Sequence, residues 1–191
     1  MRNSKGKFDP KRFPLMVAAL IAFVFAFLSI DSLSAQQTRA VTGFDQLNYL
    51  VGEWVGEGGG SDPGQGSGGF SFSLDLQGKI MTRKNNASYP ATKDRPAYSH
   101  DDLMVLYQGS PASPVRAIYF DNEGHVINYD VEISEDRDSI IFTSDPSASS
   151  PRFRLTYIKT GDDTMRIVFD MAPPGKLNAF APYIEASARR R

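Results

Sequence analysis

The chain has 191 residues and no cysteine, with 21 basic and 22 acidic side chains and a formal net charge of −1. That excludes disulfides, thiolate zinc sites, a cysteine nucleophile and a lipidated cysteine anchor. The body of the chain carries no polybasic run, which argues against a nucleic-acid partner.

The N-terminus reads as a targeting segment. Residues 1–14 carry Arg2, Lys5, Lys7, Lys11 and Arg12 against a single acid, Asp9. Leu15 to Ile30 is apolar except for Ser29, and "DSLSAQQ" then offers small residues, with Ala35 the last before a cleavage point. This basic, apolar, small-residue order predicts a signal peptide over residues 1–35 and an exported protein, periplasmic or extracellular. The alternative is an uncleaved membrane anchor over residues 15–30. Sixteen helical residues span about 24 Å against a hydrocarbon core of roughly 30 Å, which favours cleavage. Loss of residues 1–35 removes five basic and two acidic side chains and leaves a net charge of −4.

Residues 36–43 form a polar leader, and residues 44–191 the folded domain. In "GFDQLNYLVG", Phe44, Leu47, Leu50 and Val51 share one face of a short helix, which Gly52 can end. From there period two dominates. "EWVGEG" is the first strand. "FSFSLDLQ" sets Phe70, Phe72, Leu74 and Leu76 on a buried face against Ser71, Ser73, Asp75 and Gln77. "KIMTRKNN", "HDDLMVLYQ", "VRAIYFD", "HVINYDVEI", "SIIFTS", "RFRLTYIK", "TMRIVFDMA" and "YIEASARR" follow, separated by turn formers, to make ten strands. The expected fold is all-β: an antiparallel up-and-down barrel of about ten strands, with a short helix before strand one.

In such a meander alternate connections share an end. The long loops at 58–69, 86–98, 121–125, 144–151 and 172–182 fall at one end, and the short turns at 77–79, 109–114, 133–138 and 160–163 at the other. The shape is a cup with a loop-covered mouth.

Trp54, the only tryptophan, sits in "LVGEWVGEG", and "ASARRR" closes the chain. A first-strand Gly-x-Trp with a terminal arginine resembles the calycin barrels, the lipocalin and fatty-acid-binding group. That resemblance implies that Trp54 plugs the closed end under a late-strand arginine. Of Arg189, Arg190 and Arg191 the expected partner is Arg189, which ends the alternation Tyr183, Glu185, Ser187, Arg189. Gly52, Gly56 and Gly58 would let the first strand curve. Within the group the stretch is most similar to nitrobindin-type haem barrels and their bacterial relatives. This implies a haem on a histidine near the C-terminus, and the chain departs from that pattern. Its histidines are His100 and His125, which leaves Tyr183 as a phenolate alternative.

Both histidines fall at the mouth, with Arg83, Asn85, Asn86, Asp101, Asp102, Asp121 and Glu123. Three readings stand. The first is turn chemistry and solvated rim charge, with Asp121, Asn122 and Gly124 shaping a hairpin. The second is a clamp for the polar part of a partly apolar small molecule, through Arg83, His100, His125 and Tyr129. The third is a metal or acid–base site on His100, Asp102 and His125. Tyr119, Tyr129 and Tyr157 also suit the edge of a core. Arg154 is expected outside, opposite in parity to Phe153, Leu155 and Tyr157. "GEGGGSDPGQGSGG" lacks the Gly-Lys-Ser/Thr end of a phosphate loop and reads as a mouth loop.

Overall fold

The computed structural model describes residues 37–58 and 66–191. The targeting segment and most of the glycine-rich loop lie outside the described residues. A short strand β1 (Thr38–Ala40) and a 3-10 helix (Phe44–Leu50) precede ten further strands. These are β2 (Gly52–Gly56), β3 (Ser67–Asp75), β4 (Ile80–Tyr89), β5 (Tyr98–Tyr107) and β6 (Arg116–Asp121), then β7 (Val126–Ser134), β8 (Ser139–Ser144), β9 (Arg152–Lys159), β10 (Thr164–Ala172) and β11 (Ala181–Arg190).

Each of β2 to β11 pairs antiparallel with its sequence neighbour, and β11 returns to β2 through Arg190↔Trp54. The result is a closed ten-stranded up-and-down barrel, the architecture expected of a calycin-like chain. Closure removes the unpaired edges that an open sheet of this length would expose. The extra strand β1 lies on β7, Arg39 opposite Ile133. It takes the place beside β7 that β6 vacates below Arg116. Val41, next in the chain, is fully buried, and its carbonyl accepts from the Val115 amide at 2.6 Å. The polar leader is therefore joined to the barrel wall.

The helix is 3-10 because Phe44, Leu47 and Leu50 recur every third residue, the pitch of that helix. Leu47 and Leu50 are buried under the barrel. Val51 ends the helix, and Gly52 opens β2 at φ +129°. A Cβ on Gly52 would meet the Arg190 guanidinium at 2.7 Å, so glycine is required there for closure as well as for φ.

Alternation places one set of side chains inside. Met81, Met104, Leu106, Ala117, Val131, Ile133, Ile140, Met165 and Ala188 fill the interior together with Trp54, Phe70, Phe72, Phe142 and Tyr157. The expected inner face of β3 is only half correct. Phe70 and Phe72 are buried, but Leu74 is 47% and Leu76 64% exposed. The strand ends at Asp75, and Leu76, Gln77 and Gly78 turn through positive φ, so the two leucines never reach the packed interior.

The aromatic interior is continuous. Trp54 stacks on Phe70 at 6.2 Å, and Phe70, Phe72 and Phe142 surround Tyr157 at 5.5–5.9 Å. Arg154 lies outside, as its parity requires, and there pairs with Asp170 at 2.9 Å beneath Phe180. Asp170 is only 4% exposed although it faces outward, because Arg154 and the loop after β10 cover it.

Candidate functional site

The short turns and the long loops occupy opposite ends of the barrel. The closed end carries Trp54, whose indole Nε1 donates to the Leu50 carbonyl at 2.9 Å. Its ring is covered by Arg190, at 4.3 Å, not by Arg189. The alternation through Tyr183, Glu185, Ser187 and Arg189 is the outer face of β11, while Ile184, Ala186, Ala188 and Arg190 point in. Arg190 also donates to the carbonyls of Val51 and Tyr49, at 2.6 and 2.9 Å, and its Nε lies 3.2 Å from Asp163.

At the other end the inner surface is left partly open. Tyr119, Ile127, Phe153, Ile167 and Phe169 face inward against the core but are only partly buried. Phe153 and Phe169 stack at 5.5 Å and 14°, which makes a flat apolar wall on β9 and β10. Around a ten-stranded ring β5 lies opposite β10. The wall opposite is polar, and its side chains come from β4, β5 and β6.

That wall is organised by Asp102, which accepts from Arg83 and, at 2.9 Å, from Asn85 Nδ2. Arg83 and Asp102 were expected at the rim; instead they form an ion pair inside the barrel, with side chains 9% and 4% exposed. Parity is the reason. Arg83 alternates with Met81, and Asp102 with Met104 and Leu106, all of which point inward. The Arg83 guanidinium also lies 5.5 Å from the Phe70 ring centre and 5.9 Å from that of Tyr157. Burial works against its charge, but the nearby Tyr157, Asp102, Tyr119 and Tyr129 raise its pKa on balance. At this floor Arg83 Nε and the Tyr157 hydroxyl make no hydrogen bond of good geometry, although the guanidinium lies close enough to the phenol to favour its ionised form. Burial pushes the Tyr157 phenol up to about 12, so it stays a neutral hydroxyl.

His100 points into the mouth from β5. Its Nε2 lies 3.0 Å from the Tyr119 hydroxyl and 3.5 Å from Asp102, and its Nδ1 lies 3.1 Å from Glu123. Hydrogen bonding to Asp102, against a desolvation penalty and with help from Glu123, raises its pKa to about 9. At neutral pH His100 is a cation with both ring nitrogens engaged. Tyr119, its phenol pushed up by burial, donates to Asp121 at 3.2 Å.

His125 stands apart from that contact. Its side chain is 61% exposed, and its Nδ1 sits 2.8 Å from Asp121. Asp121 also accepts from the amides of Glu123 and His125, at 3.0 and 2.9 Å. Burial disfavours the Asp121 carboxylate, but the His125 amide and imidazole outweigh it and hold the pKa low. Gly124, at φ +92°, completes the hairpin. A phenol and a carboxylate thus separate the two imidazoles. Tyr129 is 2% exposed and belongs to the floor, edge-on to Tyr119 and Phe142.

His100, with both ring nitrogens engaged by Glu123 and Tyr119, is not placed to ligate a haem iron. Tyr183 is the extra residue of a bulge in the β10–β11 pairing, 57% exposed. Nor does a cationic His100 offer a general base. The closed barrel is compatible with ligand binding, and its mouth end sets a charged polar wall opposite an apolar one.

Asn85, expected at the mouth, is one of its members, and Tyr119 and Tyr157, which residue type placed at the edge of a core, are the members that reasoning did not assign to it. The signal that finds them is strand parity counted from the nearest buried methionine or leucine. Comparison with protein-family models and with curated proteins finds no match for this chain.

The raised pKa of His100 gives a first prediction. The groups facing it are Asp102, Glu123 and Tyr119, with Arg83, Asp121 and His125 next to them. A folded pKa of about 9 against about 6.5 unfolded means that stabilisation is complete below pH 6.5 and lost as pH rises to 9. The melting temperature is expected to fall over that window, and less so in His100→Gln. An identical fall in both proteins would assign the loss to another group.

Proposed function

We propose that this chain is an exported binding barrel of calycin type for a small, partly apolar molecule held at the mouth. The observation that carries this reading is the contrast between the two halves of the interior. Inward side chains at the closed end are fully buried, whereas those at the mouth stay partly exposed on both walls. A closed barrel that leaves an aromatic pair partly exposed inside its own mouth has a surface suited to a guest. Export rests on the basic, apolar, small-residue order of residues 1–35.

Native mass spectrometry of the protein as isolated tests both parts. The expected result is a chain beginning at residue 36 that carries a small-molecule adduct, lost in Phe169→Arg. A ligand-free protein in which Phe169→Arg changes no response to a library of small molecules would overturn the binding reading. Material beginning at residue 1 would overturn cleavage.

A further inference from the structure

Asp102 and Tyr119 hold His100 from behind, and Asp121 in turn accepts from Tyr119. The partner of His100 Nδ1 is held less firmly. Glu123 is on the tip of the β6–β7 hairpin and is 54% exposed. Among the described residues its carboxylate meets only His100, and its backbone amide is tied to Asp121. A surface carboxylate on one hydrogen bond has a small hold, because water solvates it nearly as well. His100, by contrast, is fixed by buried partners and keeps its Nδ1 aimed at that place whether or not Glu123 is there.

Across the mouth stands the Phe153–Phe169 pair, partly exposed and flat. Below, the floor is filled by Tyr129, Tyr157, Phe142 and Phe70, which leaves no path for a long chain toward the closed end. The mouth end thus carries a hydrogen-bonding imidazole, His100, on β5 and a partly exposed aromatic pair on β9 and β10, which is opposite in the ring. The Asp102 and Asp121 carboxylates already accept two or more bonds each, so Glu123, which accepts one, is the carboxylate most readily exchanged.

We propose that Glu123 is a displaceable stand-in for a ligand carboxylate, and that the mouth takes a flat, ring-based monocarboxylate. The carboxylate replaces Glu123 on His100 Nδ1, and the ring packs on Phe153 and Phe169. This rests on the binding reading above and adds the chemical class and the site of competition. The step is an exchange of one hydrogen-bonded ion pair for another, with Glu123 released to water and no bond made or broken.

The test uses 2-naphthoate, decanoate and 2-naphthylmethylammonium as probes, followed by calorimetry and by the NMR shifts of His100 and Phe169. Binding of 2-naphthoate with shifts at both residues is expected, with the chain acid and the ring cation each about tenfold weaker or more. His100→Gln should weaken 2-naphthoate about tenfold. Glu123→Gln should do the opposite and tighten it, by roughly two- to fivefold, because the competing charge is gone. Arg154→Ala, on the outer wall, should change nothing. Weaker or unchanged binding in Glu123→Gln overturns the stand-in. Equal or tighter binding of decanoate or of the ammonium overturns the ligand class while leaving a binding barrel intact. If no probe binds but the isolated protein carries another adduct, the class is wrong and the binding reading survives; if neither is seen, both fall.

Discussion

Asp102→Ala is expected to destabilise the protein by about 3–5 kcal/mol, the cost of leaving one member of a buried ion pair without its partner. The Arg83 guanidinium would stay inside the barrel with its charge uncompensated, among the rings of Phe70 and Tyr157. It already carries one unsatisfied nitrogen, Nε, and the change would orphan a second, Nη1. Asn85 would lose its acceptor, and His100 the hydrogen bond that chiefly holds it protonated. For a domain of this size the loss corresponds to a fall in melting temperature of roughly 6–20 °C. The pair itself is not a large net source of stability, because both charges were taken out of water to make it. Arg83→Met combined with Asp102→Leu is therefore expected to recover most of the loss, and His100 in that double variant to titrate lower than in the parent. Urea unfolding of the single and double variants, with NMR titration of His100, measures all of this. A loss below about 1 kcal/mol in Asp102→Ala would mean that water reaches the pair and that the interior at this level is solvent, not packed protein.

The same pair marks where the sequence was legible and where it was not. All ten strands of the barrel coincide with stretches of alternating or apolar residues between turn formers, because a wall with one wet and one dry face writes its period directly into the chain. The short-turn and long-loop ends were legible for the same reason: a meander sorts its connections by parity. Side-chain depth was not. Arg83 and Asp102 are charged, and residue type alone places charges at a rim; only the inward parity of Met81, Met104 and Leu106 reveals that these two go in with them. Leu74 and Leu76 failed the other way. Leu74 is the last inward position before the backbone turns and Leu76 continues the apolar alternation past it, and no property of a leucine announces that the strand ends at Asp75. The strand β1 was invisible because three exposed residues carry no burial pattern; it is specified by β7, which offers it a free edge beside Ile133.

The closure of the barrel gives the second large effect. Trp54→Ala is expected to cost about 3–5 kcal/mol, since the indole is 2% exposed and its neighbours are tied to the wall and unable to collapse into the space. Arg190→Ala should cost about 2–4 kcal/mol, through the cation–π contact and two charged hydrogen bonds. Those two bonds are why the residue matters beyond the ring it covers. The Val51 and Tyr49 carbonyls stand at the end of the 3-10 helix, where no following turn satisfies them, and Arg190 reaches both from the last strand. One side chain thus joins the helix, the first strand and the last. Arg190→Lys keeps the charge but not the fork, so it should fall between the parent and the alanine variant. Arg189→Ala, one position away on the outer face, is expected to stay within about 0.5 kcal/mol of the parent. Thermal unfolding followed by Trp54 fluorescence compares the four directly, since the emission reports on the ring that Arg190 covers. A larger loss in Arg189→Ala than in Arg190→Ala would place the wrong face of β11 inside, and with it the register that closes the barrel.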